Sequence, residues 1–175
     1  MFSNPEQNVA QLGLQEGMIV ADFGAGIGLY SKFAGKKVGD SGKVYAVEVQ
    51  KDLVKKLEDE IRIWRASNIT VIWGDIEKIN GTKITDASVD VVIVSNVLFQ
   101  CEDKLGLIDE IKRILKSTGK VLLVDWSESF GGMGPSIDHV VNQDQATELF
   151  SKRGFKFEKN IVVSDHHYGI IFIHE

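Results

Sequence analysis

A chain of 175 residues with 43% hydrophobic and 26% charged side chains is long enough for one compact core and too apolar for a disordered chain. Its net charge of −5 argues against a dedicated nucleic-acid binder, which carries a basic face. A single cysteine, Cys101, cannot form an internal disulfide, no apolar run approaches the ~20 residues of a membrane span, and residues 1–6 lack the basic-then-apolar pattern of a secretory signal, so a cytoplasmic protein is expected.

The chain alternates short β-branched runs with amphipathic helical ones. Residues 18–22 (MIVAD) predict a buried strand stopped by glycines, and residues 29–38 a helix. Residues 43–47 (KVYAV) predict a second strand. In 51–65, Leu53, Val54, Leu57, Ile61 and Trp64 share one face at helical spacing. Residues 69–73 predict a third strand. Residues 88–94 (SVDVVIV) predict a fourth, whose nearly continuous apolar run suits a strand covered on both faces. Residues 104–116 predict a helix with Ile108, Ile111 and Leu115 inward, and with Lys112, Arg113 and Lys116 at its negative end. Residues 120–125 (KVLLVD) predict a fifth strand, and 144–152 a helix stopped near Gly154. Residues 155–163 and 168–174 read as two more strands, close enough to pair antiparallel. Five strand–helix alternations imply an α/β architecture, a doubly wound and mostly parallel sheet, in one domain over residues 1–175. The run 130–135 (FGGMGP) is read as a mobile loop over the sheet edge.

The strongest local signal is DFGAGIG, residues 22–28, between a strand and a helix. Glycines there reach backbone angles closed to other residues and let a ligand approach the main chain. The spacing of Gly24, Gly26 and Gly28 is G-x-G-x-G; the dinucleotide pattern G-x-G-x-x-G fails at position 29, which is Leu. Glu48 ends the second strand, where an acid can accept both hydroxyls of a ribose. Asp75 and Ile76 follow the third strand, where an acid can accept from an adenine amino group and an aliphatic side chain can pack on the ring. Three successive strand ends therefore offer a glycine floor, a ribose acceptor and an adenine acceptor.

These motifs, with VSNVLF at the end of the fourth strand, resemble class I S-adenosylmethionine-dependent methyltransferases, and within them the small UbiE-like methyltransferase-domain proteins. The opening NPEQNVAQLGLQEGM and the tail HHYGIIF share that resemblance. It implies a Rossmann-like seven-stranded sheet with an antiparallel last strand. It implies S-adenosyl-L-methionine as methyl donor, with S-adenosyl-L-homocysteine as product. By position it assigns Asp22, Gly24, Gly26 and Gly28 to the first motif, Glu48 to the ribose, Asp75 and Ile76 to the adenine, and Asn96 to the methionine end. Tyr30, just after the glycines, is placed to close over the donor.

Methyl transfer from a sulfonium is an in-line displacement, so orientation carries much of the catalysis and a base is needed only when the nucleophile must lose a proton. Asp125, His139 and His166 are the candidates for that base. Adjacent His166 and His167 point to opposite faces of a strand, so no metal site is expected. Trp64 and Trp73 are read as core or pocket wall, and Trp126 as a wall on the substrate side. The single cysteine disfavours an arsenite-type enzyme, and SNVL after the fourth strand disfavours DNA amino-methylation. The expected acceptor is a small molecule or lipid-like, with nucleic acid disfavoured. The short N-terminal extension leaves the site open or completed by a second copy in a homodimer. Two other readings remain: a non-catalytic sensor or partner subunit that binds the donor, and an RNA or protein methyltransferase.

Overall fold

Asn4 starts the first helix by accepting the Glu6 and Gln7 amide protons at 3.0 and 3.3 Å, and Pro5 takes a first-turn position, where its missing N–H costs nothing. This helix, α1 (Pro5–Ala10), has six residues, too few to show a helical period in the sequence. It packs on α2 (Leu29–Val38) and buries Asn8 and Val9. The computed structural model describes residues 3–132 and 134–174; Met1, Phe2, Met133 and Glu175 lie outside the described residues, so the 130–135 run is described except at position 133.

The remaining elements are β1 (Ile19–Phe23), β2 (Lys43–Glu48), α3 (Lys51–Trp64), β3 (Ile69–Trp73), β4 (Val89–Ser95), α4 (Lys104–Ile114), β5 (Leu115–Trp126), α5 (Gln143–Ser151), β6 (Phe155–Asn160) and β7 (His167–His174). The seven strands form one sheet in the order β3-β2-β1-β4-β5-β7-β6. β1 to β5 pair parallel, and β7 inserts antiparallel between β5 and β6. This is the expected Rossmann-like seven-stranded α/β arrangement.

The central strands read as continuous apolar runs because both of their faces are covered. Phe23, Val92, Val94 and Phe172 point to the face that receives Ile108 and Ile111 of α4 and Phe150 of α5. Val20, Ile93 and Val124 point to the other face, against Val9 of α1, Ala34 of α2 and Leu57 of α3. Each of these larger side chains, fully buried, contributes about 1.5–3 kcal/mol.

Boundaries differ most from the sequence reading at the α4–β5 junction, where β5 begins at Leu115 rather than at 120, and at the end of β6. The helix over 104–116 ends at Ile114, and Leu115 is already extended and paired with Val89. Leu115 is buried, as its spacing indicated, but a register shift after Val89 brings Lys120 opposite Val91, so residues 116–119 bulge. The strand over 155–163 stops at Asn160. Trp73 also departs from expectation. It is 51% exposed, with its Nε1–H donated to the Val49 carbonyl and the ammonium groups of Lys51 and Lys83 against its ring. Trp64 is half-buried beside Gly28.

Candidate functional site

β1 and β4 lie side by side, but the chain leaves β1 toward β2 and leaves β4 toward β5. At such a switch point a crevice opens at the carboxyl ends of the strands. The turn after β1 forms its floor. Gly24 and Ala25 both donate to the Val47 carbonyl, at 2.9 and 3.0 Å, which folds the turn toward β2. Gly24 has φ +69°, and a Cβ there would lie 2.5 Å from a Val97 methyl. Gly26 has φ +56° and open space where its Cβ would be. Gly28 serves a different end. At φ +80° it starts α2, and a Cβ would sit 2.3 Å from Leu57, so its bareness lets α2 and α3 approach.

Glu48 is buried at the end of β2. One oxygen accepts the Gly26 amide at 3.0 Å; the other accepts those of Val49 and Gln50 at 2.9 Å each. A carboxylate has about four lone-pair positions. Three are taken by backbone, so both hydroxyls of a ribose can bind only by displacing an amide. Asp75 accepts from the Glu77 amide at 3.0 Å and pairs with Lys78 at 2.9 Å. Chiefly the Lys78 hydrogen bond holds its carboxyl below the ordinary range, against a smaller upward push from burial. Asn96, at φ +56°, donates its amide to the Val124 carbonyl, while its Oδ1 is shielded from solvent and has no partner.

Gly24, Gly26, Glu48, Asp75, Ile76 and Asn96 line one cleft of about 380 Å³. Cys101, which the sequence reading did not place there, lines it as well. Burial pushes its thiol up to about 12, so it is an unreactive wall. A second cleft of about 390 Å³ shares Gly24, Gly26 and Asn96 and adds Asp22, Tyr30 and Ser95. α1 edges this second cleft. The Tyr30 hydroxyl accepts from the Asn8 side-chain amide at 2.7 Å and lies 3.3 Å from Ser3 Oγ, and Ser3 and Pro5 are lining residues. Gly28 lines neither cleft.

Asp22 is 2% exposed and accepts the Ser31 hydroxyl at 2.6 Å. Burial raises its carboxyl pKa from 3.8 to about 6; the Ser31 hydrogen bonds oppose this and the nearby Glu48 charge adds to it. The folded protein thus keeps this proton to higher pH than the unfolded chain does. The contribution of Asp22 to stability therefore declines as pH rises from about 4 to 6. In Asp22→Asn that decline is absent, and the melting temperature of the variant relative to wild type should climb across this window by the equivalent of about 2–3 kcal/mol. A difference that stays flat from pH 4 to 7 would show that Asp22 titrates at its ordinary value.

The three base candidates fall outside both clefts. Asp125 is fully buried and accepts the Phe99 and Trp126 amides at 3.2 and 2.8 Å; burial raises its carboxyl to about 6. His139 lies in a 3₁₀ turn (Ile137–His139), bonded to Ser136 at 2.8 Å, in a groove with Lys104, Leu149 and Lys152. His166 meets Glu128 at 2.7 Å and stacks on Phe130 at 3.7 Å between ring centres. Trp126 is covered by His167, with ring centres 4.1 Å apart. Among the described residues no group of three or more His, Cys, Asp or Glu side chains is placed to hold a metal ion.

Residues 21–123, from β1 through most of β5, match the family model described as a methyltransferase domain. The chain belongs to the class I S-adenosylmethionine-dependent methyltransferases. Over 98% of its length the chain superposes on 89% of a S-adenosylmethionine-dependent methyltransferase from Aquifex aeolicus, with a TM-score of 0.89 and 26% identity. It is 26% identical to a ubiquinone/menaquinone biosynthesis C-methyltransferase UbiE of Paraburkholderia phymatum over 74% of this chain and 52% of that one. It is 30% identical to the arsenite methyltransferase of Homo sapiens over 61% of this chain and 30% of that one. The chain thus spans about half or less of the length of these curated relatives.

The family's donor is S-adenosylmethionine, and the residues present fit it. The open face of Gly26 allows close approach to the main chain. The unpartnered Asn96 Oδ1 is an acceptor awaiting a donor, and the lining acids suit a cationic sulfur.

Proposed function

We propose that this methyltransferase moves the methyl group of S-adenosylmethionine to a small-molecule or lipid-like acceptor, as a single cytoplasmic domain over residues 1–175. The observation that carries the reading is the convergence of Gly24, Gly26, Glu48, Asp75, Ile76 and Asn96 on one cleft at the switch point of the sheet. Among the described residues no helix is long and apolar enough to cross a membrane.

When bound, the donor supplies an electrophilic methyl group on a positively charged sulfur. The work of the chain is positional. Glu48 ties the glycine turn to the end of β2 through Gly26 and so fixes the floor on which the donor rests. Asp75 and Ile76 bound the adenine end, and Asn96 with Tyr30 bounds the methionine end. Holding nucleophile, carbon and sulfur in line replaces a bimolecular encounter with an oriented one, and this supplies a large part of the barrier reduction. Val47, Leu53, Val97 and Cys101 give the same cleft an apolar wall.

Calorimetry with S-adenosylmethionine, S-adenosylhomocysteine and NAD tests the donor assignment: the first two should bind and NAD should not. Glu48→Ala removes a hydrogen-bond acceptor and frees the Gly26 amide, and should weaken donor affinity roughly 10- to 100-fold in a folded protein. Unchanged affinity would remove Glu48 from the site. Turnover of a metabolite and lipid panel, read as released S-adenosylhomocysteine, separates an enzyme from a donor-binding sensor.

A further inference from the structure

Gln11, the residue that ends α1, makes two hydrogen bonds to a residue 151 positions away. Its side-chain amide donates to the Val162 carbonyl at 2.9 Å and accepts the Val162 backbone amide at 3.1 Å. The other hydrogen of the group goes to the Gln7 carbonyl at 3.3 Å, so both N–H bonds are used. A carboxamide carries the same donor and acceptor as a peptide group, and Gln11 meets Val162 as a neighbouring strand would. Val162 lies in the connection between β6 and β7. Its side chain is 84% exposed and packs on little, but Ile161 and Val163 on either side are seated in the core on the α1 side of the sheet. The connection is therefore anchored, and it offers its backbone to Gln11.

α1 needs such an anchor. A helix of six residues does not hold its shape or place without tertiary contacts. On the α2 side, Val9 and Leu12 are buried, and Asn8 donates to the Tyr30 hydroxyl at 2.7 Å and to Ser3 Oγ at 2.8 Å. Gln11 supplies the contact at the opposite end. Ser3 and Pro5, at the start of the same helix, line the second cleft beside Tyr30 and Asn96. The first cleft, which bounds the adenine end, takes none of its lining from α1 among the described residues. A helix this short turns as one body, so slack at Gln11 is felt at Pro5, roughly 9 Å along the axis. Gln11 and Val162 both fall outside residues 21–123, the part matched by the methyltransferase-domain model, so this contact joins the two flanks of the shared core.

Resting on the donor assignment above, we propose that Gln11 is a positioning residue for the donor: by tying α1 to the β6–β7 connection it holds Ser3, Pro5 and Tyr30 in place around the methionine end. Gln11 touches no part of the donor itself. Without its two bonds α1 keeps its contacts with α2 but gains freedom at its C-terminal end. The donor must then order that wall as it binds, and the cost falls on its amino-acid half and not on its adenosine half.

The test compares two ligands on the whole chain by calorimetry. S-adenosylhomocysteine carries the amino-acid half; methylthioadenosine keeps the adenosine and the sulfur and lacks that half. Gln11→Met preserves the length of the side chain but has no N–H to give and only a weak acceptor. It should weaken S-adenosylhomocysteine roughly fivefold or more and leave methylthioadenosine within about twofold of wild type. Gln11→Asn, polar but one methylene too short to reach both Val162 groups, should show the same split. Hydrogen exchange supplies a second reading: the amides of α1 should exchange faster in either variant while those of β1 and β4 keep their wild-type rates. Equal weakening of both ligands would make Gln11 a support of the whole fold and overturn the proposal. Wild-type affinity for both ligands would overturn it too, since α1 would then hold its place without Val162. Failure of the wild-type chain to bind S-adenosylhomocysteine removes the donor reading itself, and is seen before any variant is compared.

Discussion

In Gly24→Ala, donor affinity should fall at least a hundredfold while the fold survives. The position is left-handed at φ +69°, a conformation that costs an L-residue about 1–2 kcal/mol. The added methyl would stand 2.5 Å from Val97 Cγ2. Val97 is β-branched and stiff at χ1, so it yields mainly by shifting as a unit. Val97 itself lines the donor cleft, and any shift reshapes the space the donor needs. Gly26→Ala separates the two effects. Its φ of +56° imposes similar backbone strain, but its methyl meets nothing within 4 Å and projects into open space. That variant should lose donor affinity through occlusion alone and melt close to wild type apart from the strain. The measurement is calorimetric affinity for S-adenosylhomocysteine beside thermal melting. Wild-type affinity in Gly24→Ala would mean that Val97 moves aside freely and that the turn is not the floor of the site.

The three glycines of one motif thus do three jobs, and only part of this was legible in the sequence. The G-x-G-x-G spacing points to a bare turn between strand and helix, and Gly24 and Gly26 do line the cleft. Gly28 has the same appearance in the sequence, yet its need is set by Leu57, 29 positions away, which no local pattern reveals. The strand ends were equally legible as positions and less so as chemistry. Glu48 and Asp75 reach one cleft because parallel register carries the ends of β2 and β3 to the same edge. Their lone pairs are largely taken by neighbouring amides and Lys78, which depends on coordinates that residue type does not encode.

Buried polar residues were the least legible. Asp125 looks like a base at a strand end, but its carboxylate is spent on the Phe99 amide in the turn after β4 and on the Trp126 amide next to it in β5. Asn8, fully buried within α1, gave no signal because its helix is too short for a period. Its contacts with Tyr30 and Ser3 span 22 and 5 positions, and they decide how α1 meets the second cleft. In the residues themselves the β7 insertion was visible only as two strands too close for a helix between them, and the antiparallel last strand was implied by the family resemblance. The inward-facing residues of β7, Ile170 and Phe172, show the alternation of any strand and do not reveal between which neighbours it lies.

Glu110→Ala should be the most destabilising single substitution considered, although it lies outside both clefts. Its carboxylate has no exposed surface and accepts from the Asn80 amide at 2.9 Å, the Thr82 amide at 3.2 Å, the Thr82 hydroxyl, and the Nε and Nη2 of Arg113 at 2.8 and 2.7 Å. Burial pushes this carboxyl up, but the hydrogen bonds from Arg113, Thr82 and the two amides outweigh it and hold the group below the ordinary 4.5. Removing the carboxylate leaves two amides and the Nε and Nη2 of a largely buried guanidinium without this acceptor, while Asp86 and the Ile84 carbonyl still hold Nη1, a loss of about 3–5 kcal/mol. For a chain of this size that is a fall in melting temperature of roughly 6–20 °C. The damage should also reach the site. Glu110 anchors residues 80 and 82, and the Gly81 carbonyl between them receives the Asp75 amide at 3.2 Å. Donor affinity should therefore weaken severalfold, even where the variant is fully folded. The sign of the pH effect follows from the lowered carboxyl. The folded protein releases this proton more readily than the unfolded chain, so the stabilisation is present above about 4.5 and is lost as pH falls through the depressed value. Acid unfolding of Glu110→Gln should lack this component, so its stability deficit against wild type should shrink as pH drops below 4.5. A deficit unchanged between pH 7 and pH 3 would mean that the charge of Glu110 contributes nothing to the brace.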